Sequence, residues 1–314
     1  MSITFFVTVV SIFLSCNGNV GIYVPDTYSW FLENEKIDTK LKKVVNSAGY
    51  GFRVIPPHNE YSNTFKKALK RKPSFIIGST LYEKDIRQLI EENNANDVPI
   101  ILSGVGKGYR NKNIVGIAYN RQDSFEEAGI LAAQINKHIG ENSKKPVKSA
   151  LLIIDRLQKQ KKERDSFIKG YETIEEGTSL IIKSINSPGS KEEARTAINS
   201  LKTENIHLYA VMTLELNQYC MEQLVVEDGY FISENWYSEH PLNERVIFSI
   251  EAPRSPAVLK GLLELQLYKN IQQLDSNVKK GINEGGLTVD TVIEPGGAAE
   301  NFAQILRKRG LLEK

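Results

Sequence analysis

Residues 113–136 read NIVGIAYNRQDSFEEAGILAAQIN, and in this segment a strand pattern passes directly into a helix pattern. The apolar run at residues 114–118 predicts a short buried strand, and small and apolar residues over 125–133 recur with helical spacing. The S-x-x-E spacing of Ser124 and Glu127 predicts a capping box at the start of that helix. We interpret the segment as the passage from one α/β lobe to another, because strand and helix patterns alternate before it and alternate again from about residue 150.

Short apolar runs alternate with amphipathic helix patterns along most of the chain. Continuous apolar strands that alternate with helices are typical of parallel sheets covered by helices on both faces. The sequence therefore predicts an α/β fold with two Rossmann-like lobes, each built on a parallel sheet. A second S-x-x-E pair, Ser190 and Glu193, predicts another capped helix. The predicted strands occupy residues 20–24, 52–55, 75–78, 99–102, 114–118, 150–154, 180–185, 208–212, 230–233, 246–250 and 289–293.

The composition is that of a soluble globular protein, with 41% hydrophobic and 25% charged residues in a chain of 314. The net charge of +2 is too close to balance to indicate a nucleic-acid partner, so we expect none. The basic cluster at residues 159–162 lies beside a helix pattern and predicts a solvated helix face.

The sequence contains no motif that indicates catalysis or a bound cofactor. No strand is followed by G-x-G-x-x-G, and the patterns G-x-x-x-x-G-K-[ST], G-x-S-x-G and H-E-x-x-H do not occur. The four histidines lack metal-ligand spacing, and two cysteines cannot build a thiol metal site. We therefore expect a protein without catalytic residues, cofactor or metal.

The first sixteen residues, MSITFFVTVVSIFLSC, are nearly all apolar. Their apolar core at residues 3–14 is too short to span a bilayer as a helix and has the length of a signal-peptide core. Its end, Ser15 followed by Cys16, resembles the lipobox of bacterial lipoproteins. That resemblance implies cleavage before Cys16 and lipidation of its thiol, which would anchor the chain to a membrane. The alternative is a short buried strand or helix at the true N-terminus.

Three places in the chain carry a further resemblance. Residues 123–133, DSFEEAGILAA, look like a crossover helix, and Arg164 with FIKGY at 167–171 looks like the helix after the first strand of a second lobe. Residues 232–235 and 248–253, ISEN and FSIEAP, look like strand ends where the chain returns to the first lobe. In this order they resemble the type I periplasmic binding proteins, the fold of ribose-binding proteins and LacI-type effector domains.

The resemblance implies a domain division and a place for a ligand. It implies a signal peptide at 1–16, an N-terminal lobe of 17–121 plus about 252–283, and a C-terminal lobe of 122–251 plus about 284–314. A ligand would lie in a cleft between the lobes, held by loops that follow the strands. Polar and aromatic residues at the predicted strand ends suit the hydroxyls and rings of a sugar or a nucleoside. These expected ligand-binding residues are Asp26, Tyr28, Trp30, Ser79, Ser103, Asn120, Asp155, Arg156, Thr213, Glu234, Trp236 and Glu251.

The function implied by the resemblance is that of a monomeric, lipid-anchored solute-binding protein of the bacterial periplasm or cell envelope, serving the permease of an ABC transporter. Sugar and nucleoside both stay open, because Ser103 stands where sugar binders often carry Asp and residues 125–133 also resemble nucleoside-binding lipoproteins. The alternatives are a ligand-sensing module for a receptor, a structural surface protein with a degenerate cleft, and a two-lobed α/β enzyme. That enzyme would use Asp155, Glu234 or Glu251 as acid and base.

Overall fold

The computed structural model describes most of the chain. The predicted signal segment with Cys16 lies outside the described residues, and so do Asp26, Tyr28, Trp30 and Trp236. The described ranges are 19–25, 36–57, 60–104, 107–143, 146–156, 158–175, 177–187, 189–202, 204–225, 229–234, 240–252, 254–268 and 286–312.

Strands and helices alternate through the described chain, as the apolar pattern predicts. Most predicted strands are present with boundaries shifted by at most two residues. In chain order the elements are β1 (Val20–Tyr23), α1 (Lys36–Ser47), β2 (Gly51–Val54), α2 (Tyr61–Lys70), β3 (Phe75–Ser79), α3 (Glu83–Glu92), β4 (Ile100–Gly104), β5 (Tyr109–Asn111), β6 (Ile114–Asn120), α4 (Gln122–Glu141), β7 (Lys148–Ile154), α5 (Gln158–Glu172), β8 (Leu180–Ile185), α6 (Lys191–Leu201), β9 (Ile206–Met212), α7 (Asn217–Gln223), β10 (Tyr230–Glu234), β11 (Val246–Glu251), α8 (Arg254–Glu264), β12 (Thr288–Asp290), β13 (Val292–Pro295) and α9 (Ala303–Lys308).

The described residues fall into two compact units. One lies within Met1–Tyr119 and Arg254–Val289, and the other within Asn120–Pro253 and Asp290–Lys314. The chain therefore passes between the units three times. The third passage follows Val289, whereas the sequence placed it near residue 283, because β12 joins the sheet of the first unit.

The sheet of the first unit has the strand order β12-β6-β4-β3-β1-β2, with β5 paired to β6. Strand β1 is parallel to both β2 and β3, so the chain leaves β1 on one side and returns on the other. A topological switch point therefore lies between β1 and β3. Strand β5, which the apolar pattern did not predict, runs antiparallel to β6.

The sheet of the second unit repeats this arrangement with the order β13-β11-β10-β9-β7-β8. Strand β7 is parallel to β8 and to β9, which places a second switch point between β7 and β9. Strand β13 runs antiparallel to β11. The single strand predicted at 289–293 is wrong: β12 and β13 belong to different sheets, and Thr291 separates them.

Both faces of the second sheet are buried, which confirms the expectation from the continuous apolar strands. Along β7, Leu151 and Ile153 pack into a core with Phe125 and Phe167 of α4 and α5. The alternate residues of β7, such as Leu152, pack into a separate core on the other face. The two cores arise because successive side chains of a strand point to opposite faces of the sheet.

The start of α4 differs from its predicted capping box. The helix begins at Gln122, and its N-cap residue, Arg121, makes no side-chain capping hydrogen bond. Ser124 lies inside the first turn, and its Oγ donates to the carbonyl oxygen of Thr291 at 3.1 Å. The Ser124 hydroxyl, which the local pattern predicted to cap the helix, therefore bonds instead to Thr291, a residue distant in the sequence. The second predicted cap is confirmed, because the Oγ of Ser190 accepts a hydrogen bond from the backbone N–H of Glu193 at 3.3 Å.

Helices α4 and α5 pack with their backbones in close approach. A Cβ atom built on Gly129 of α4 would lie 2.9 Å from the backbone nitrogen of Tyr171, and closer still to the carbonyl oxygen of Phe167. A Cβ atom on Gly170 of α5 would lie 2.9 Å from the carbonyl carbon of Glu126. Glycine is required at both positions because any side chain would enter the neighbouring backbone.

Candidate functional site

The ends of β7, β9 and β10 carry polar residues at the switch point of the second unit. Asp155 and Arg156 follow β7, Thr213 follows β9, and Glu234 is the last residue of β10. Ligands of open α/β sheets bind beyond the carboxyl ends of the strands at such a point. The strands that the sequence predicted therefore bring these four residues to one edge of the sheet.

Glu234 is buried, and both of its carboxylate oxygens have protein partners. Its Oε1 accepts a hydrogen bond from the backbone N–H of Leu214 at 2.8 Å, and its Oε2 accepts one from Nη2 of Arg121. Leu214 has a φ of +52°, in the left-handed region that residues other than glycine rarely adopt. Glu234 therefore connects the strained turn after β9 to the start of α4.

Arg121 is central to this edge of the sheet. It is only 6% exposed and lies over the ring of Phe125, with 4.9 Å between the guanidinium carbon and the ring centre. Its Nε lies 3.6 Å from Oε1 of Glu163, an acid on α5. Burial raises the pKa of Glu163, and the negative charge of Glu234 raises it further, while Arg121 opposes both effects.

The helix face at residues 159–163 is less solvated than the charge run predicted. Gln160 and Glu163 are buried, and Lys159 is half-buried. Burial lowers the pKa of Lys159, and the nearby carboxylate of Glu163 offsets part of that effect. The prediction of a solvated face is correct for the exposed Lys161 and Lys162 and wrong for the other side of the same turn.

Asp155 and Arg156 differ sharply in their surroundings. Asp155 is buried, and its Oδ2 forms an ion pair with Nη1 of Arg164 on α5. Arg164 also contacts Asp165, with 2.9 Å between Nη2 and Oδ1. Arg156 is exposed. The charge of Asp155 is therefore balanced within the protein, whereas Arg156 is open to solvent.

Thr213 is fully buried and belongs to a hydrogen-bonded turn. Its backbone N–H and its Oγ1 both donate to Oδ1 of Asn217, at 2.8 and 3.0 Å. Nδ2 of Asn217 in turn donates to Oγ of Ser233 at 2.9 Å and to the carbonyl oxygen of Glu234 at 2.8 Å. These bonds fix the position of Glu234 and account for the burial of Thr213.

The switch point of the first unit is held by Tyr61. Its hydroxyl accepts a hydrogen bond from the backbone N–H of Ser79 and donates one to the carbonyl oxygen of Val24, each at 3.1 Å. The ring of Tyr61 stacks on Tyr82 with the ring centres 4.0 Å apart. Ser79 is buried at the end of β3, and Ser103 is half-buried at the end of the neighbouring β4.

Asn120 and Glu251 lie at strand ends next to passages between the units. Nδ2 of Asn120 donates to Oδ1 of Asp290 at 2.9 Å, and its carbonyl oxygen accepts from the backbone N–H of Thr291 at 3.0 Å. Glu251 is half-buried at the end of β11. The side chain of Asn120 thus ties together two of the three passages of the chain.

Within the described ranges, no group of three or more His, Cys, Asp and Glu side chains is placed to hold a metal ion. In the same part of the chain, no helix combines the length and the apolar character that crossing a membrane requires.

The comparison with known proteins rests on structure. No protein-family model and no curated protein matches the sequence. An ABC-transporter solute-binding protein from Aeropyrum pernix K1 is similar in structure, with a TM-score of 0.61, 12% identity, and coverage of 94% of this chain and 81% of that one. The arabinose-binding protein AraP from Geobacillus stearothermophilus has a TM-score of 0.55 and 11% identity, over 91% of this chain and 99% of that one. The fold is that of the type I periplasmic binding proteins.

The type I fold is not confined to proteins described as solute binders. A transcriptional activator of the comK gene from Bacillus halodurans has a TM-score of 0.60 and 13% identity, over 92% of this chain and 95% of that one. At identities this low, the similarity concerns the fold. The prediction of the fold is confirmed, and the ligand-binding residues stay a prediction.

Proposed function

We propose that this chain is a solute-binding protein that captures a small neutral ligand with several hydroxyl groups, a sugar, for an ABC importer. We expect the ligand to contact polar residues at the strand ends of each unit. The observation that carries the proposal is the pairing of charges at the second switch point. Asp155 is paired with Arg164, and Glu234 with Arg121, so neither carboxylate needs a charged ligand.

Similar structures support the choice of a sugar over a nucleoside. AraP is described as an arabinose-binding protein, and the similar protein from Aeropyrum pernix as a solute-binding protein of an ABC transporter system. We also propose that the protein is monomeric, acts outside the cytoplasm and performs no chemistry. If prolonged incubation with sugars yielded a new product, the protein would be an enzyme, and the alternative of a two-lobed α/β enzyme would replace this proposal.

The lipid anchor at Cys16 is part of the proposal. We expect the mature protein to begin at Cys16 and to carry the added mass of lipid on that residue. Mass spectrometry of the protein extracted from cell envelopes measures this directly. A mature chain that retains Met1 would contradict both the cleavage and the anchor.

The test of ligand class is a thermal-shift screen of the purified chain against D-arabinose, other sugars, nucleosides and amino acids. A ligand at a hundred times its dissociation constant stabilises the folded state by about 2.7 kcal/mol. We expect sugars alone to raise the melting temperature. If only nucleosides raised the melting temperature, the ligand would be a nucleoside instead of a sugar. If only amino acids raised it, the site would not be one that binds hydroxyl groups.

A matched pair of variants tests whether the second switch point takes part. Arg156→Ala removes an exposed arginine at the end of β7, and Arg195→Ala removes an exposed arginine on α6 with the same change of charge. We expect Arg156→Ala to weaken sugar binding at least tenfold and Arg195→Ala to leave it unchanged. Equal affinities for both variants would remove Arg156 from the site.

A ligand-sensing module is the second candidate, and the similarity to the activator of comK favours it. A sensor and a transport protein both bind the ligand, but they differ in their partner. Cross-linking in cells grown with the sugar would separate them: we expect an ABC permease as the partner, and a signalling receptor would favour the sensor.

A further inference from the structure

Glu163 is a buried carboxylate with one oxygen that has no hydrogen-bond partner. It is 2% exposed, and its Oε1 makes no hydrogen bond. Among the buried side-chain atoms without a hydrogen bond in the described part of the chain, Oε1 of Glu163 is the one that belongs to a carboxylate. Burying a charged group without hydrogen bonds is costly, so a charged Glu163 requires a nearby cation that offsets this cost.

The compensating cation is shared with a second acid. Nη2 of Arg121 donates a hydrogen bond to Glu234, whereas Nε of Arg121 lies 3.6 Å from Oε1 of Glu163, beyond hydrogen-bond distance. Glu234 is also held by the backbone N–H of Leu214. Arg121 is therefore oriented toward Glu234, and Glu163 receives the weaker part of its charge.

The charged groups that act on Glu163 come from three elements: Arg121 at the start of α4, Glu234 on β10 and Lys159 on α5 itself. Burial is the largest influence and raises the pKa of Glu163, and Glu234 acts in the same direction. Arg121 and Lys159 oppose them without reversing the direction. Geometry and electrostatics thus agree that folding shifts Glu163 toward its neutral form by raising its pKa.

We propose that Glu163 is a positioning residue that acts through Arg121 and makes the second switch point sensitive to pH. When Glu163 is protonated, Arg121 pairs with the carboxylate of Glu234 alone, and Glu234 stabilises the turn at Leu214 through its hydrogen bond to the backbone N–H. Without the proton, two buried carboxylates compete for one guanidinium. The inference concerns the second unit by itself and does not depend on the proposed ligand.

The sign of the pH dependence follows from the direction of the shift. The folded chain holds the proton on Glu163 up to a higher pH than the unfolded chain does. Wild-type stability is therefore lost as pH rises from the unfolded pKa toward the folded pKa, and the loss is complete above the folded pKa. Glu163→Gln keeps the shape and the neutral charge of the acid, so the variant does not suffer this loss.

The experiment compares melting temperatures of the full-length wild type and Glu163→Gln at pH 4 to 8. We expect nearly equal values at pH 4 and an advantage for the variant that grows steadily as pH rises to 8. A variant that becomes progressively less stable than wild type as pH rises would overturn the proposal, because the charged form would then be the stabilised one.

Glu193→Gln is the matched control in the same unit. The Glu193 carboxylate accepts hydrogen bonds from Oγ of Ser187 at 2.6 Å and from the backbone N–H groups of Ser187 and Asn186. These bonds lower its pKa, with the Ser187 hydroxyl as the largest cause. The stability from Glu193 is present above the unfolded pKa and lost as pH falls through the folded pKa. Glu193→Gln should therefore be less stable than wild type at pH 8, the opposite sign.

Direct titration tests the proposal if Glu163→Gln folds poorly. The carboxyl carbons of isotopically labelled glutamate report protonation in the wild-type chain by nuclear magnetic resonance. We expect one glutamate to titrate above the usual range and its signal to be absent from Glu163→Gln or from a mild alternative, Glu163→Asp. A spectrum in which every glutamate titrates in or below the usual range would overturn the proposal, whatever the chain binds.

Discussion

The close approach of α4 and α5 at Gly129 and Gly170 leads to a prediction about stability. Gly129→Ala places a methyl group 2.9 Å from the backbone nitrogen of Tyr171, whereas ordinary van der Waals contact begins near 3.4 Å. The carbonyl oxygen of Phe167 would lie closer still, so the helices must separate by more than that difference of about 0.5 Å, since a backbone atom cannot rotate away as a side chain can. A gap of about 0.5–1 Å forfeits a quarter to a half of the dispersion energy of each contact it opens.

The magnitude is a balance of two opposing effects. Overpacking of a well-packed core costs about 1–3 kcal/mol, and a rigid backbone obstacle places the cost in the upper part of that range. Replacing glycine by alanine inside a helix gains about 0.8–1.0 kcal/mol. We therefore expect Gly129→Ala to lower the free energy of unfolding by about 1–2 kcal/mol. The same reasoning applies to Gly170→Ala, whose methyl group would meet the backbone of Glu126.

Gly140→Ala is the matched control, because Gly140 lies in the same helix and a Cβ atom there meets nothing within 4 Å. Only the gain in helix propensity remains, and because Gly140 lies in the last turn of α4 we expect a stabilisation of about 0.5 kcal/mol, at the low end of the range. Urea unfolding followed by circular dichroism measures all three variants. For a slope near 2 kcal/mol per molar urea, the midpoint for Gly129→Ala should fall by about 0.5–1 M.

The double variant sharpens the test. One separation of the helices relieves both clashes, so Gly129→Ala with Gly170→Ala should cost less than the sum of the single changes. If Gly129→Ala proved as stable as wild type, or moved in the same direction as Gly140→Ala, the close packing of these helices would be refuted.

Other predictions concern a helix cap, a tertiary hydrogen bond and a buried thiol. Ser190→Ala should lower the free energy of unfolding by about 1 kcal/mol through loss of the cap of α6, and unchanged urea unfolding would contradict the capping role. Ser124→Ala should cost about 0.5–1.5 kcal/mol, and unchanged urea unfolding would contradict the hydrogen bond from its Oγ to the carbonyl oxygen of Thr291. Burial raises the pKa of the Cys220 thiol to about 11. In a Cys16→Ser variant, Ellman's reagent should therefore react with Cys220 at neutral pH only after the chain unfolds. Rapid reaction of the folded chain would show that the thiol is accessible.

The predicted site shows where sequence reasoning succeeds and where it stops. Strand-end positions such as Asp155, Thr213 and Glu234 could be found, because parallel strands of one sheet end at a common edge. Their partners could not be found, because Arg121 and Glu234 are 113 residues apart and no local pattern links them. Glu163 was missed for a related reason, since in the sequence it is one charge within a charged helix segment.

The sequence by itself determined the alternation of strands and helices, the burial of both sheet faces and the cap at Ser190. These features depend on apolar periodicity and on groups a few residues apart, which a short window of sequence contains. Only the tertiary structure decided that residues 288–295 serve two sheets, that Ser124 bonds to Thr291, and that two buried acids share Arg121. Each of these depends on which distant segments meet, and a hydroxyl or a charge takes the partner that the folded chain places beside it.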